Sequence, residues 1–148
     1  MYYAFIQDNK INGVGQLPIL NEEYQNIEIS EEVFNAIGED KDRYIWDISN
    51  QKVIANPDYE QILIDREKER IGNLTMTKRV FALGLQEYGI TYNQLKQLIA
   101  TSEQAQLEWD LCVELQRKNP LLDVMAAQIG VTSEQLDNMF KKANGEIE

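Results

Sequence analysis

The chain has 148 residues, 43% hydrophobic and 26% charged, enough for one ordinary domain or two very small ones with a buried core. Its net charge of −11 disfavours direct binding to nucleic acid or to anionic membranes, because a negative surface repels phosphate groups. It contains no apolar run of about 18 residues, so no membrane span is expected. The first residues lack the basic segment of a signal peptide, and we expect a cytoplasmic site of synthesis.

The first residues predict a β-rich module. Tyr2 to Gln7 has the aromatic and β-branched composition of a strand. A turn cluster follows from Asp8 to Gly13, and Val14 to Leu17 is the predicted partner strand. The alternation of polar and apolar residues from Asn26 to Ile29 predicts a further strand.

A short helix and a hairpin are predicted next. Ser30 is placed to cap a helix from Glu31 to Ile37, which Gly38 would end. The segments 43–48 and 52–54, separated by a Ser-Asn-Gln turn, predict a β-hairpin.

The Asn56-Pro57 pair marks the clearest boundary, because Asn caps helices and Pro favours the first helical position. A helix is predicted from Pro57 to about Ile71. Its charges alternate in sign from Asp65 to Arg70, which is typical of a solvated face.

The remaining residues predict about five short helices. The sequence places them at Lys78–Tyr88, at Tyr92–Ile99, after Ser102 and through Leu115, at Leu121–Ile129 and at Ser133–Ala143. The predicted fold is therefore α+β, with a small β-rich N-terminal module at 1–56, a charged connector helix at 57–76 and a C-terminal helical bundle at 77–148.

Two segments of the bundle echo each other. Gly89 to Leu95 matches Gly130 to Leu136, with Gly ending one helix and Thr capping the next.

The stretch from Val124 to Leu136 also resembles a DNA-binding helix-turn-helix. Its second helix offers only Lys141 and Lys142 to phosphates, so we favour a plain corner between two helices and keep a transcriptional regulator as an alternative.

Residues typical of catalysis are scarce. The chain has no histidine, which removes Ser–His and Cys–His dyads and histidine-ligated metals. Its one cysteine, Cys112, lies in an apolar pattern and is expected to be buried. We predict a non-enzymatic protein with no catalytic residue, no cofactor and no metal site.

Aromatic residues concentrate in the first 60 positions. A β-rich module of about 55 residues has a small core and cannot easily hide all of them, whereas Tyr and Trp are enriched at protein interfaces. Core packing with scattered exposure is the competing interpretation. Four residues are candidates for protein binding: Tyr24, Tyr44, Trp46 and Tyr59, with Tyr44 and Trp46 the first choices.

The order of several short segments resembles a known class of proteins. They are Ile29–Phe34, Tyr44–Trp46, Ile54–Glu60, Arg66–Arg70 and Leu74–Phe81. Together they resemble small proteins and fibre-terminal segments encoded in the tail modules of prophages from Gram-positive-type bacteria.

This resemblance implies a tail, baseplate or fibre-associated protein, or a helper of tail assembly. It implies other phage or host proteins as partners and incorporation into a virion or tail-like particle, and it supplies no catalytic residue. The helical bundle is a candidate second contact or homo-oligomer interface. A phage-encoded acidic inhibitor of a host defence protein is the main alternative.

Overall fold

The computed structural model describes residues 1–148 and contains seven α-helices and three small antiparallel sheets. This arrangement confirms the predicted α+β class. The chain divides into two compact units, residues 1–65 and 66–148, and the division falls inside the helix predicted as a connector. None of the helices is both long and apolar enough to cross a membrane.

A three-stranded antiparallel sheet opens the first unit. Its strands are β1 (Tyr2–Gln7), β2 (Lys10–Gly15) and β3 (Gln25–Ile29), in the order β2-β1-β3. Only Asp8 and Asn9 separate β1 from β2, and both have positive φ, 52° and 61°, as in a hairpin turn whose twist matches its strands. Because the turn is this short, β2 begins at Lys10, and the strand predicted at Val14–Leu17 lies too late in the chain.

Helix α1 (Glu31–Glu39) follows the sheet. The backbone N–H of Val33 donates to Ser30 Oγ at 3.2 Å, which confirms the predicted cap. The prediction that Gly38 ends the helix is wrong, because Gly38 does not adopt the positive φ of a glycine cap and lies inside the last turn. A 3₁₀ turn follows at Lys41–Arg43.

The predicted hairpin is confirmed as β4 (Tyr44–Asp47) and β5 (Lys52–Ala55). The core of this unit is small and contains Ala4, Ile6 and Trp46, with partly buried aliphatic side chains packed against them. Helix α2 (Tyr59–Gly72) starts in this unit and continues into the second.

The second unit contains five further helices and a small two-stranded sheet. Its elements are β6 (Thr75–Thr77), α3 (Lys78–Glu87), α4 (Tyr92–Ile99), α5 (Glu103–Leu111), β7 (Glu114–Gln116), α6 (Pro120–Gln128) and α7 (Ser133–Ala143). The centre of its core is formed by Leu85, Leu95, Leu136 and Phe140, none of which is more than 1% exposed. The predicted bundle of about five short helices is confirmed.

The pairing of β6 with β7 was not predicted. The third helix of the bundle was expected to run through Leu115, but α5 ends at Leu111, and Met76 pairs with Leu115 across the two strands. Cys112 has extended backbone angles and a half-buried side chain, so the expectation of a buried, helical Cys112 is wrong.

The two echoed corners have the same local structure. Gly89 and Gly130 have φ of 79° and 76°, the left-handed conformation that favours glycine. After each glycine, a threonine and the glutamine three residues later form a reciprocal capping box, as the shared sequence predicts.

Candidate protein-binding cleft

An open cleft of about 550 Å³ lies on the first unit. It is bordered by α1, the 3₁₀ turn, β4, the end of β5 and the start of α2. The lining residues are Glu32, Asn35, Ala36, Glu39, Arg43, Tyr44, Ala55, Asn56 and Tyr59. The cleft therefore combines two tyrosine rings with amide and charged groups. We refer to it as the tyrosine cleft.

Hydrogen bonds fix the position of Tyr59 in this cleft. Its hydroxyl donates to Asp40 Oδ2 at 3.0 Å and accepts from Arg43 Nε at 3.3 Å. The guanidinium carbon of Arg43 lies 5.9 Å from the centroid of the Tyr59 ring, within the range of a cation–π contact. Tyr59 is thus held from two sides and presents a ring of restricted mobility.

Asn56 lies between the end of the hairpin and the start of α2 and forms several hydrogen bonds. Its Nδ2 donates to the carbonyl oxygen of Asp42 at 2.7 Å, and its backbone N–H donates to the carbonyl oxygen of Arg43 at 2.8 Å. Its Oδ1 accepts from the backbone N–H of Asp58 at 3.0 Å. The first two bonds join the segment before α2 to the 3₁₀ turn, 14 and 13 residues earlier, so the cleft is preformed.

The cleft lies on a strongly acidic unit. Residues 1–65 contain thirteen acidic and four basic residues, a net charge of −9, whereas residues 66–148 have a net charge of −2. Within the cleft, Arg43 pairs with Glu39 at 3.1 Å. The hydrogen bond to Tyr59 and the nearby acidic groups raise the pKa of Arg43, so this guanidinium remains charged. Glu32 adds a carboxylate to the lining.

The structure brings together two of the four residues predicted to bind proteins. Tyr44 and Tyr59 are half-buried and line the same cleft. Tyr24 lies elsewhere on the unit, where its hydroxyl accepts a hydrogen bond from Asn12 Nδ2 at 3.0 Å.

Trp46 does not lie on an exposed surface, and the expectation that it does is wrong. Its side chain is 8% exposed and packs with Ala4 and Ile6 in the core of the first unit. It pairs with Val53 across the hairpin. In a unit with so small a buried core, burying the largest aromatic ring removes the most apolar area from water.

A second polar cluster, around Arg117 in the second unit, was not anticipated from the sequence. Arg117 is 6% exposed and is bonded to Asp123, Ser133 and Asp137. Ser133 and Asp137 are two of the residues that a DNA-reading helix would present, and here both face Arg117. No sequence pattern signals this cluster, because the burial of Arg117 and the strand before it are visible only in the structure.

No three His, Cys, Asp or Glu side chains converge in a way that could hold a metal ion. The chain matches no protein-family model, no curated protein and no solved structure.

Proposed function

We propose that this chain is a non-enzymatic protein-binding component or assembly helper of a phage tail or fibre apparatus. In this proposal the tyrosine cleft is the contact surface and takes a basic segment of the partner. The observation that carries the proposal is the placement of Tyr44 and Tyr59 beside Glu32 and Glu39 in one open cleft.

The physical properties of the cleft support a protein partner. Tyrosine supplies a large contact area with few rotatable bonds, and the bonds from Tyr59 to Asp40 and Arg43 reduce the entropy lost when a partner docks. The charge of −9 on this unit favours a partner segment rich in Lys or Arg and predicts fast, salt-sensitive association.

The class of partner is suggested by sequence resemblance. The hairpin segment Tyr44–Trp46 and the segment Ile54–Glu60, which resemble tail-module proteins, both contribute residues to the cleft. Tail and fibre proteins are therefore the first partners to test.

The test is affinity capture of the tagged chain from source cells during prophage induction, with bound proteins identified by mass spectrometry. We expect tail or fibre proteins to be recovered with the unaltered chain and depleted at least tenfold with a Glu32→Lys, Tyr44→Ala double variant. Tyr24→Ala is the matched control, because it truncates a half-buried tyrosine of the same unit outside the cleft. If the double variant is folded by circular dichroism and recovers as much tail or fibre protein as the unaltered chain, the cleft is not the contact surface.

A second candidate function is supported by the distribution of charge. Nine of the eleven net negative charges lie on the first unit, as an acidic decoy for a basic host defence protein would require. This function predicts recovery of a nucleic-acid enzyme without tail proteins, and binding that is lost when salt is raised from about 0.1 M to 1 M, where the screening length falls to about 3 Å. Recovery of tail proteins alone would contradict it.

A further inference from the structure

The second unit has an apolar groove with the opposite charge to the tyrosine cleft. The groove has a volume of about 410 Å³ and is lined by Lys78, Arg79, Ala82, Leu83, Tyr92 and Trp109, among others. It lies along the exposed face of α3, with Tyr92 from α4 and Trp109 from α5. No acidic residue lines it, although the chain has 25 acidic and 14 basic residues. We refer to it as the basic groove.

Apolar side chains of the groove are open to solvent. Leu83 is 51% exposed and Tyr92 is 49% exposed. Positions 79, 82, 83 and 86 recur at the spacing of one helix face, so α3 presents a continuous strip to an incoming segment. Exposed apolar groups flanked by charge are typical of a protein-docking surface.

Three cations surround this strip. Lys78 Nζ donates to the carbonyl oxygen of Trp109 at 2.6 Å and lies 5.8 Å from the Trp109 ring centroid. Lys96 Nζ lies 5.1 Å from the Tyr92 ring centroid. Arg79 lines the groove and forms no ion pair within the chain. The groove thus fits a segment that carries both carboxylates and an apolar side chain.

The first unit contains a loop with this chemistry. Between β2 and β3, Leu17 is 80% exposed and Leu20 is 98% exposed. Glu22 and Glu23 follow after Asn21, and no basic residue occurs from position 11 to position 40. We refer to residues 17–23 as the leucine loop.

The leucine loop is held in shape. Ile19 N–H donates to Asn26 Oδ1 at 2.8 Å, and Asn26 Nδ2 donates to the Ile19 carbonyl oxygen at 2.9 Å. Asn21 Oδ1 accepts from the backbone N–H of Glu23 at 3.0 Å. The loop therefore projects Leu20 from a clamped backbone, so little conformational entropy is lost when it binds.

We infer that the leucine loop of one copy of this chain docks in the basic groove of a second copy. Leu20 inserts against Leu83, Tyr92 and Trp109, while Glu22 and Glu23 meet Lys78 and Arg79. The contact is head-to-tail, because the two surfaces differ, so it extends into a ring or a filament. The inference rests on the complementary charge and exposed leucines of the two surfaces and does not depend on the tyrosine cleft.

Sedimentation velocity on the full chain tests this self-association. We expect species above the 17.2 kDa monomer that increase with protein concentration and diminish in high salt. Leu20→Glu and Leu83→Glu should each leave only the monomer. Val124→Glu is the matched control, because Val124 is 55% exposed on a helix of the second unit outside the groove. The altered side chains are at least half exposed, so the fold should persist, which circular dichroism checks.

Mixing the two single variants gives the decisive result. Leu20→Glu retains an intact groove and Leu83→Glu retains an intact loop, so the mixture should form a 1:1 heterodimer that cannot grow further. A chain that remains monomeric at millimolar concentration, or a mixture that forms no heterodimer, would overturn the inference.

Discussion

Arg117 Nε lies 2.6 Å from Oδ1 of Asp137, although the two residues belong to different elements 20 positions apart. The other end of the guanidinium reaches Asp123 at 2.9 Å and Ser133 Oγ at 2.6 Å. Arg117 thereby ties the end of β7 to α6 and α7. Its side chain is 7% exposed, whereas those of Asp123 and Asp137 are 44% and 34% exposed, so the cation is buried and the carboxylates are only partly so.

Replacing Arg117 by Met should lower the free energy of unfolding of the second unit by about 2–3 kcal/mol, since it breaks a buried ion pair but leaves carboxylates that water can reach. Urea denaturation followed by circular dichroism measures this loss. Lys118→Met is the control, because the side chain of Lys118 is exposed and bonds only the side chain of Asn73. Equal effects of the two substitutions would show that the ion pair contributes nothing specific.

The same cluster predicts an acid-sensitive step. Hydrogen bonding to Arg117 is the main cause that lowers the pKa of Asp123 below its usual value. When the pKa of a carboxyl group is lower in the folded protein than in the unfolded chain, its ionised form stabilises the fold. This stabilisation is complete at pH values above the unfolded-chain pKa of about 3.9 and is lost as the pH falls through the lower pKa of the folded protein. We expect the stability difference between the unaltered chain and Asp123→Asn to be constant from pH 7 to about 5 and to shrink below about pH 4. A difference that stays constant to pH 2 would contradict this cause.

Trp46→Ala should unfold the first unit or lower its free energy of unfolding by about 3–5 kcal/mol, the usual cost of truncating a buried aromatic. Near-ultraviolet circular dichroism and thermal denaturation follow the change. Ile48→Ala removes an apolar side chain of the same hairpin that is 58% exposed and should have a small effect. An intact, equally stable Trp46→Ala protein would show that the ring is not part of the core.

Tyr59→Phe should lower the free energy of unfolding of the first unit by about 1 kcal/mol, because it removes a hydroxyl bonded to Asp40 and Arg43 in a half-buried position. Chemical denaturation measures the change. Tyr24→Phe removes a hydroxyl with one exposed partner, Asn12, and should cost less. The opposite ranking would contradict the proposed role of Tyr59 in fixing the cleft.

Two glycines should respond to alanine in opposite directions. Gly130→Ala should destabilise the second unit by about 1 kcal/mol, because φ of 76° strains any residue with a Cβ. Gly38→Ala should stabilise the first unit by about 0.5–1 kcal/mol, because Gly38 is helical and an added Cβ meets nothing within 4 Å. Thermal denaturation of both variants measures the change in stability. If both substitutions stabilise or both destabilise, backbone conformation is not the cause of the effects.

The N-terminal helix caps could be predicted because their bonds are local. Ser30, Thr77 and Thr91 each accept from a backbone N–H three residues later, and the side chain type announces this. The strand from Glu114 to Gln116 could not be predicted, because it is defined by pairing with Thr75–Thr77, about 40 residues earlier, and three residues carry no periodicity.

The candidate site was only partly predictable, because residue types are visible in the sequence and contacts between distant residues are not. Composition identified Tyr44 and Tyr59 as candidates, but the cleft that they share depends on contacts between distant residues, such as the bond from Tyr59 to Asp40. Trp46 is two positions from Tyr44 on the same face of β4, and nothing local reveals how much of that face the rest of the unit covers. The basic groove needs three helices, so no single segment announces it.

The matching corners at Gly89 and Gly130 determine whether one corner segment can replace the other in the chain. In both corners the residue after glycine donates its N–H to the helix before it, Ile90 to Leu85 and Val131 to Ala126. Because these bonds and the capping boxes are local to each corner, either seven-residue segment, Gly89–Leu95 or Gly130–Leu136, supplies what the chain needs to change direction. The two corners still differ, because Ser133 of the second corner is bonded to Arg117 and its counterpart in the first corner is not. Transplanting the second segment into the first corner should leave the helices unchanged but replaces Tyr92 of the basic groove by Ser, and the reverse graft removes the bond from Ser133 to Arg117. The two corners are therefore interchangeable in backbone structure but not in the contacts of their side chains.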